Sequence, residues 1–297
     1  MQEENWNLYY DNVKTRCHKL IDYGIWNGMD SNKLNGWLKN FKTDQEKFLS
    51  ACILDTLSYK SQDQVISLLY DLLTRDLNNL FRSESKIINK LSNPLMLLQD
   101  KWADPGFRIV SAVKGEDPPS KSGNLMNNHI VNHLDVCNKW TINPNAIEKA
   151  IANGVKNFVL IDDIVCTGEQ ICGTILEWNL QNYEGVQFFI AVCVAHETGI
   201  MKLKTEFPKI PISYAEKLKL NESFFENFDI GHSDYADKDD AINHYKEFLK
   251  ENGVKNKKIL GFGDLGLVYG FAHNVPNASL PVLYYECENF NSLLKKR

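Results

Sequence analysis

The sequence predicts an α/β protein in which a mostly parallel sheet is flanked by helices and preceded by an all-helical region. Two observations predict this fold class. The first third of the chain carries apolar side chains at helical spacing. From Asp104-Pro105-Gly106 onward, short apolar runs alternate with helical patterns, as in parallel strands joined by helices. We therefore expect a helical domain over residues 1–104 and an α/β domain over residues 105–297.

Several segments of the N-terminal region have the apolar period of amphipathic helices: residues 5–23, residues 44–58 and a third that begins near Ser61. The third is the clearest, because Ser61 and Gln64 form a capping-box pattern ahead of its apolar residues. A shorter apolar stretch covers residues 87–98. No catalytic residue types cluster here, so we expect these helices to pack against the second domain or a partner protein.

Apolar runs after residue 104 predict the strands, and helical patterns between them predict the connections. The predicted strands are Phe107–Val113, Phe158–Ile161, Val186–Ala195, Lys257–Phe262 and Val282–Glu286. The predicted helices begin near Leu125, at Asn143-Pro144, at Glu169 and at Ala236. Residues 200–235 lack a sharp period, and we expect an insertion with short helices there.

Composition and charge narrow the function classes. Of the 297 residues, 43% are hydrophobic and 24% are charged, which is ordinary for a globular protein. The formal net charge of −5 gives no electrostatic reason to expect direct nucleic-acid binding. We find no apolar run of membrane-spanning length and no export signal, and the seven cysteines are dispersed as reduced thiols are. We therefore expect a cytoplasmic protein that does not bind a membrane.

The most informative stretch is Phe158–Gln170, FVLIDDIVCTGEQ. Its four apolar residues predict a strand buried on both faces, and Asp162 and Asp163 follow at the end of that strand. Two adjacent carboxylates raise each other's pKa, so we expect them to face a cation or a polyhydroxyl ligand. Thr167-Gly168 then leads into a helix whose first N–H groups offer a phosphate seat. A ligand with hydroxyls near the acids and a phosphate at the helix start fits the description of a ribose 5-phosphate.

This stretch resembles the phosphoribosyl-pyrophosphate motif of type I phosphoribosyltransferases: four apolar residues, two acids, two further apolar residues and a Thr-Gly-rich loop. The resemblance implies a type I phosphoribosyltransferase-like fold. It also implies that Asp162 and Asp163 hold the ribose hydroxyls while a loop wraps the 5-phosphate. The implied loop residues are Cys166, Thr167, Gly168, Glu169 and Gln170.

The motif departs from the family pattern at three positions. Cys166 stands where the family usually has Thr or Asp, and this argues against ordinary purine salvage. Glu169 and Gln170 stand where the family usually has a second Gly and a Thr. A carboxylate in a phosphate loop repels the phosphate unless it points away or bridges through a metal.

Two further segments are candidates for the same site. In the family, the loop after the first core strand holds pyrophosphate, and here that loop contains Lys121, Ser122 and Gly123. A solvated surface loop is the alternative interpretation. His196 follows the predicted strand Val186–Ala195, at the sheet edge where open α/β sheets bind ligands. It is a candidate base or substrate contact, or else a histidine that is hydrogen-bonded at a strand end.

Other motifs suggest rival functions, each with weak support. Residues 115–122 resemble a P-loop, but two prolines remove N–H groups and the Gly before the Lys is missing. Residues 261–266 fit G-x-G-x-x-G without room for a following βαβ unit, so a turn is the better account. His129, His133 and Cys137 have the spacing of zinc ligands on a helix, without an evident fourth ligand. A purely structural acidic turn is the alternative for the acid pair.

Segments outside the motif extend the resemblance to most of the chain. Residues 37–41 (WLKNF), residues 51–55 and the tail Phe271–Glu286 resemble the phosphoribosyltransferase-like PRTase-CE proteins of bacterial conflict systems. That resemblance implies an anti-phage effector that works beside a protein partner, a sensor NTPase or a retron reverse transcriptase complex. It also implies a small-molecule phosphoribosyl or nucleotide substrate.

Two functions follow from these observations. The first is an enzyme that transfers or hydrolyses a glycosyl group, with Asp162 and Asp163 as catalytic residues and as ligands of Mg²⁺. The second is a catalytically inactive module that senses a nucleotide or binds a partner. The sequence alone leaves open whether the chain is an enzyme.

Overall fold

The computed structural model describes residues 3–84, 93–228, 235–255 and 257–296. It divides into two compact units. Unit 1 is discontinuous and consists of Met1–Asp63 and Asn221–Arg297, whereas unit 2 is the continuous segment Gln64–Leu220. No helix among the described residues is long and apolar enough to cross a membrane.

The helices and strands are numbered in chain order. The α-helices are α1 (Glu3–Asp22), α2 (Ser31–Leu38), α3 (Asp44–Thr56), α4 (Gln62–Asp71), α5 (Leu77–Glu84), α6 (Pro94–Gln99), α7 (Ser122–His133), α8 (Ile147–Ala152), α9 (Glu169–Glu177), α10 (Glu197–Glu206) and α11 (Lys238–Glu251). The strands are β1 (Ser58–Lys60), β2 (Arg108–Ser111), β3 (Thr141–Ile142), β4 (Asn157–Val165), β5 (Gln187–His196), β6 (Ile212–Leu218) and β7 (Tyr269–Phe271).

Unit 2 is built on a five-stranded sheet of order β3-β2-β4-β5-β6, and every strand pairing in this sheet is parallel. The predicted fold class, a mostly parallel sheet flanked by helices, is therefore confirmed. The central strands β4 and β5 are almost entirely buried, because helices cover both faces of the sheet. Since all five strands point the same way, their carboxyl ends lie along one edge.

Both faces of this sheet pack large apolar side chains. On one face, Phe81 makes edge-to-face contacts with Phe107 and Phe189, at ring-centroid distances of 5.1 and 5.0 Å. On the other, Phe158 stacks on Phe188 at 5.3 Å within a cluster that includes residues of α8, α9 and α10. Each buried Phe contributes roughly 1.5–3 kcal/mol. This packing holds the carboxyl edge of the sheet in a fixed register.

Unit 1 has its own apolar core, formed by the N-terminal helices, α11 and the C-terminal segment. Trp37 is fully buried and its Nε1–H donates to the backbone oxygen of Val282 at 2.7 Å. Phe41 stacks on Phe248 with ring centroids 4.7 Å apart. Strands β1 and β7 pair in parallel as a separate two-stranded sheet. Helices at the two ends of the chain therefore share one core.

The observed units group the chain differently from the predicted domains. Residues 64–104 belong with the sheet in unit 2, and residues 221–297 belong with the N-terminal helices in unit 1. The apolar stripe that begins near Ser61 continues from α4 through a π-helical turn, Leu72–Asp76, into α5. Leu69, Leu72, Leu73 and Leu77 are buried, and β5 and β6 of the same unit contact the π turn. The boundary at residue 104 stays a prediction about folding domains.

Two strand predictions are wrong. Residues 257–262 form a turn that leads into the 3-10 helix Phe262–Asp264, and the tail forms the 3-10 helix Pro281–Leu283 instead of a strand. Conversely, the segment expected to be an insertion with short helices contains β6, the edge strand. Among the described residues, only one long side of β6 is paired, which fits a sequence, ISYAEKL, that keeps polar residues and lacks a continuous apolar run.

Several predicted features fall partly outside the described residues. Residues 87–92 of the apolar stretch 87–98 and residues 229–234 of the predicted insertion lie outside the described residues. The described end of the first stretch contains α6, with Asn93 as its N-cap and Pro94 at its first turn. This is the role that an Asn-Pro pair at a helix start predicts.

Candidate functional site

The acid pair lies at the carboxyl edge of the sheet, but within a strand instead of after one. β2 ends at Ser111, which pairs with Ile161, so Asp162 and Asp163 are the first residues of β4 beyond β2. The prediction that the strand finishes on the acids is wrong, because β4 continues to Val165 along its other neighbour, β5. Asp162 is fully buried and Asp163 is 5% exposed.

Asp162 accepts three hydrogen bonds. Ser122 Oγ–H and the backbone N–H of Asp163 donate to its Oδ1, at 2.6 and 3.0 Å, and Gln170 Nε2–H donates to its Oδ2 at 2.7 Å. Burial and the adjacent carboxylate of Asp163 raise the pKa of Asp162 well above its usual range, against the opposing effect of Ser122. This environment favours the neutral form of Asp162.

The loop after β2 reaches the acid pair through the start of α7. A Cβ at Gly123 would lie 2.8 Å from the backbone nitrogen of Ala112 and 3.2 Å from the backbone oxygen of Ile161. Only glycine allows α7 to begin this close to the strand ends. Ser122 is thereby placed on Asp162. Lys121 precedes it and lies 3.8 Å from Asp117, which also accepts the N–H of Lys114.

The predicted phosphate loop turns tightly from β4 into α9. Gly168 occupies the N-cap position in the left-handed region, with φ +84°, and it has no side chain that could cap the helix. First-turn N–H groups of α9 therefore need another acceptor, and a phosphate suits that position. The loop also lies against the start of α10, where a Cβ at Gly199 would be 2.6 Å from the backbone oxygen of Cys166.

Two of the three loop residues that depart from the family pattern bind protein side chains. The carboxylate of Glu169 pairs with Lys202 on α10, and its side chain is 57% exposed. Gln170 donates to Asp162. The ion pair with Lys202 compensates the charge of Glu169, which reduces the repulsion that a carboxylate in a phosphate loop exerts on a phosphate.

Cys166 lies beside the acids as a neutral thiol. Burial is the main cause of a raised pKa at Cys166, and the carboxylates of Asp163 and Asp162 raise it further. The pKa of Cys193 on β5 is also raised, mainly by burial and then by the carboxylates of Asp163 and Asp162. Because the thiolate is the nucleophilic form, this environment does not activate Cys166.

His196 lies at the same edge of the sheet but is engaged in local structure. Its Nδ1 accepts the backbone N–H of Thr198 at 3.2 Å and caps α10, and the side chain is 2% exposed. The preceding residue, Ala195, pairs with Val165, so His196 is level with Cys166 in the loop. This geometry matches the alternative stated for His196, a histidine that is hydrogen-bonded at a strand end.

A cavity of about 540 Å³ adjoins the loop after β2, in unit 2. Its walls are formed by that loop, by α7 and by the segment around β3, and neither acid lines it. Two side chains at the end of α9 bind this loop by hydrogen bonds. Trp178 Nε1–H donates to the backbone oxygen of Val113 at 2.9 Å, and Glu177 accepts the N–H of Gly115 at 2.6 Å.

The rival motifs gain no support. The three glycines of residues 261–266 all have positive φ in a turn with a 3-10 helix, which agrees with the turn interpretation. The rings of His129 and His133 lie 5.5 Å apart. Within the described parts of the chain, no three His, Cys, Asp or Glu residues come together as a metal site.

Mg²⁺ fits this edge through carboxylate oxygen atoms, which are the ligands it prefers. Both oxygens of Asp162 accept side-chain donors, and Asp163 Oδ1 accepts the backbone N–H of Ile164 at 2.7 Å, so an ion would share carboxylate oxygens with these hydrogen bonds. Mg²⁺ sites built from one or two carboxylates usually take further oxygens from substrate phosphates and water. Asp162 and Asp163 stay the predicted metal residues.

Sequence reasoning missed two residues that shape the site. Lys202 compensates Glu169, and Gly199 allows the phosphate loop to approach α10. Neither belongs to the motif. The one available signal was the position of Gly199 just after His196, where a small residue follows the end of a buried strand.

The comparisons with known proteins agree with this architecture. The model of the family described as PRTase-CE matches residues 34–296, which is most of the chain. No curated protein gives a significant match. The chain therefore belongs to the PRTase-CE family and is phosphoribosyltransferase-like.

Proposed function

We propose that the chain binds a ribose 5-phosphate group, as phosphoribosyl pyrophosphate or a nucleotide, at the acid pair and the loop Cys166–Gln170. The enzyme transfers or hydrolyses the glycosyl group. One observation carries this proposal: Asp162 is joined by hydrogen bonds to Ser122 from the predicted pyrophosphate loop and to Gln170 from the predicted phosphate loop. The three segments that would hold ribose, pyrophosphate and 5-phosphate thus meet at one carboxyl group.

The chemistry of the acid pair suits this substrate. A neutral Asp162 can donate as well as accept hydrogen bonds, and each ribose hydroxyl does both. Cleavage at C1 passes through a cationic ribosyl transition state, which nearby negative charge stabilises. Lys121 precedes Ser122, its Nζ lies 3.8 Å from Asp117 Oδ1, and it would supply positive charge to a pyrophosphate leaving group.

Magnesium completes the proposed site. Asp163 would contact the ion, and bound Mg²⁺ supplies positive charge that neutralises the pyrophosphate oxygens. The binding of ribose hydroxyls falls to the acid pair, and the seating of the 5-phosphate falls to the N–H groups at the start of α9.

The first test is a thermal-shift measurement with phosphoribosyl pyrophosphate and Mg²⁺. A ligand that binds only the folded state stabilises it by about 2.7 kcal/mol when present at 100 times its Kd, so the melting temperature must rise. We expect this rise in the wild type and its loss in the double variant Asp162→Asn/Asp163→Asn. Asp71→Asn is the matched control, since Asp71 is a half-exposed acid of the same unit that pairs only loosely with Arg75, at 3.9 Å.

Turnover separates an enzyme from a binding module. Release of pyrophosphate, or of free base from a nucleotide, is measured for the wild type and for Asp163→Asn. Turnover that Asp163→Asn abolishes while the melting temperature stays near that of the wild type supports the enzyme. A rise in melting temperature without any turnover, over a panel of base acceptors and nucleotides, supports the second candidate.

The second candidate is a catalytically inactive nucleotide-sensing or partner-binding module. One observation favours it. The oxygens of Asp162 accept bonds from Ser122 and Gln170, and the side chain is fully buried, so a ligand must displace part of this network to reach it. A site that rearranges when ligand binds is suited to sensing.

The wider role that we propose is that of an effector in a bacterial anti-phage defence system, beside a sensor NTPase or a reverse transcriptase complex. Membership of the PRTase-CE family supports this role. The test is phage plating on a host that carries the chain together with its neighbouring genes. The proposal is supported if the wild-type chain protects the host, Asp163→Asn loses this protection, and a neighbouring gene product co-purifies with the chain. It is contradicted if phage plate equally well on hosts with and without the wild-type chain.

A further inference from the structure

Asp162 is one of the two acids expected to hold ribose hydroxyls, yet its side chain is fully buried. Its Oδ1 accepts Ser122 Oγ–H at 2.6 Å and the backbone N–H of Asp163 at 3.0 Å, which uses both lone pairs of that oxygen. Its Oδ2 accepts Gln170 Nε2–H at 2.7 Å. A ribose hydroxyl therefore reaches Asp162 only after one of these donors has moved.

Ser122 is a donor that the backbone holds in place. It precedes Gly123, where an added Cβ would lie 2.8 Å from the backbone nitrogen of Ala112 and 3.2 Å from the backbone oxygen of Ile161. The start of α7 is thus in direct contact with the strand ends. A serine side chain has a single χ angle, so its hydroxyl stays close to this fixed backbone in every rotamer.

The loop that leads to Gln170 is held as well. A Cβ at Gly199 would lie 2.5 Å from Val165 Cγ1 and 2.6 Å from the backbone oxygen of Cys166, so the loop lies directly against the start of α10. Glu169, the residue before Gln170, pairs with Lys202 on α10. A shift of the loop backbone is therefore an unfavourable way to uncover Asp162.

The side chain of Gln170 is the donor that can leave. It has three χ angles, and the residue is half-buried, so it extends from the accessible surface of α9 to the buried acid. Rotation about its first two χ angles carries the carboxamide into solvent and leaves the backbone unchanged. A single hydrogen bond of this kind changes an equilibrium constant by only about two- to tenfold, so a ligand can displace it.

We propose that Gln170 is a latch on the acid pair: its carboxamide donates to Asp162 in place of a ribose hydroxyl and keeps the resting site closed. A ribose 5-phosphate group binds by displacing the carboxamide, while the N–H groups at the start of α9 stay in position for the phosphate. The apparent affinity is then reduced by the fraction of molecules in which the latch is open. This inference rests on the function proposed above and adds what limits access to that site.

A supporting role for Gln170 makes the opposite prediction for binding. If Gln170 only oriented Asp162 for the ligand, its removal would weaken binding, whereas removal of a latch that competes with the ligand strengthens it. The first test is therefore calorimetric titration of the intact chain with ribose 5-phosphate, and with phosphoribosyl pyrophosphate plus Mg²⁺.

Two variants replace the carboxamide of Gln170 by a shorter side chain, Gln170→Ala and Gln170→Thr. We expect both to bind ribose 5-phosphate about two- to tenfold more tightly than the wild type. The matched control is Gln181→Ala, which alters an exposed glutamine of the same unit and should bind as the wild type does. Weaker or equal binding in both Gln170 variants overturns the latch.

Chemical labelling tests the latch without a ligand. A carbodiimide with an amine nucleophile couples to accessible carboxyl groups, and peptide fragmentation in a mass spectrometer locates each modified residue. We expect Asp162 to be labelled severalfold faster in Gln170→Ala than in the wild type, at a temperature well below both melting temperatures. Glu169, whose side chain is 57% exposed, is the internal control and should be labelled equally in both proteins.

The two tests separate the latch from the function on which it rests. Faster labelling of Asp162 in Gln170→Ala, with no binding of either ligand by any of the proteins, supports the latch and overturns ribose 5-phosphate as the ligand of this site. Unchanged labelling of Asp162 overturns the latch. Binding of ribose 5-phosphate that Gln170→Ala weakens also overturns the latch, but it keeps the ligand.

Discussion

Asp162 is a residue whose burial works against the stability of its charged form. A carboxyl group with a raised pKa in the folded state binds its proton more tightly there than in the unfolded chain. Stability from this group is therefore present at low pH and is lost as pH rises from the unfolded pKa of about 3.9 toward the raised folded pKa. At neutral pH the buried Asp162 therefore lowers the free energy of unfolding.

The corresponding prediction concerns Asp162→Asn. The variant removes this titration, so we expect its melting temperature to exceed that of the wild type by a gap that widens as pH rises. For domains of this size, about 1 kcal/mol corresponds to about 2–4 °C. Calorimetry between about pH 4.5 and 8 measures the gap, and parallel curves for the two proteins would contradict a raised pKa at Asp162.

Lys202 is predicted to protect the phosphate seat from Glu169. Replacing Lys202 by Met leaves the Glu169 carboxylate without its partner, so we expect severalfold weaker binding of phosphoribosyl pyrophosphate. The double variant Lys202→Met/Glu169→Gln should regain the affinity of the wild type, because no carboxylate is left to repel the phosphate. Titration of all three proteins measures this. If the single and double variants lose the same affinity for phosphoribosyl pyrophosphate, Lys202 contributes to binding independently of Glu169.

At the scale of elements, the site depends on how closely β4, α9 and α10 approach one another. A Cβ at Gly199 would lie 2.5 Å from Val165 Cγ1, at the end of β4. We expect Gly199→Val to cost about 1–3 kcal/mol in unfolding free energy and to abolish the ligand-induced rise in melting temperature, since it displaces the phosphate loop.

The control for this prediction is Gly36→Ala on α2. The nearest atom to an added Cβ at Gly36 is 3.9 Å away, and alanine is preferred to glycine within a helix by about 1 kcal/mol. Gly36→Ala should therefore stabilise the protein or leave it unchanged, and ligand binding should stay intact. A similar loss of ligand binding in both variants would refute a specific role for Gly199.

The sequence predicted those elements whose signals are local. The apolar run of β4, the Asn-Pro start before α8 and the period of α11 are each contained in one short segment. The edge strand β6 and the pairing of Glu169 with Lys202 were missed, because both depend on residues distant in the chain. The acid pair was placed at the correct edge, whereas its burial by Ser122 and Gln170 needs tertiary structure.

At the scale of the whole molecule, ligand effects should be confined to unit 2. Hydrogen exchange with and without phosphoribosyl pyrophosphate and Mg²⁺ should show new protection in residues 158–172 and 111–125, which contain the acids, the phosphate loop and the start of α7. Peptides from the core of unit 1, such as residues 34–54, should not change. Protection spread evenly over both units would contradict a site contained in unit 2.

The discontinuity of unit 1 has a consequence for the order in which the protein forms during synthesis. Residues 64–220 leave the ribosome as one uninterrupted segment, so the sheet unit can fold as soon as it emerges. The N-terminal helices emerge first, yet their core needs Phe248, Val282 and other residues from the end of the chain. Buried side chains such as Trp37 therefore stay exposed or bound to a chaperone until residues 221–297 have emerged, and a chain truncated after residue 220 would keep its sheet but leave those helices without a core.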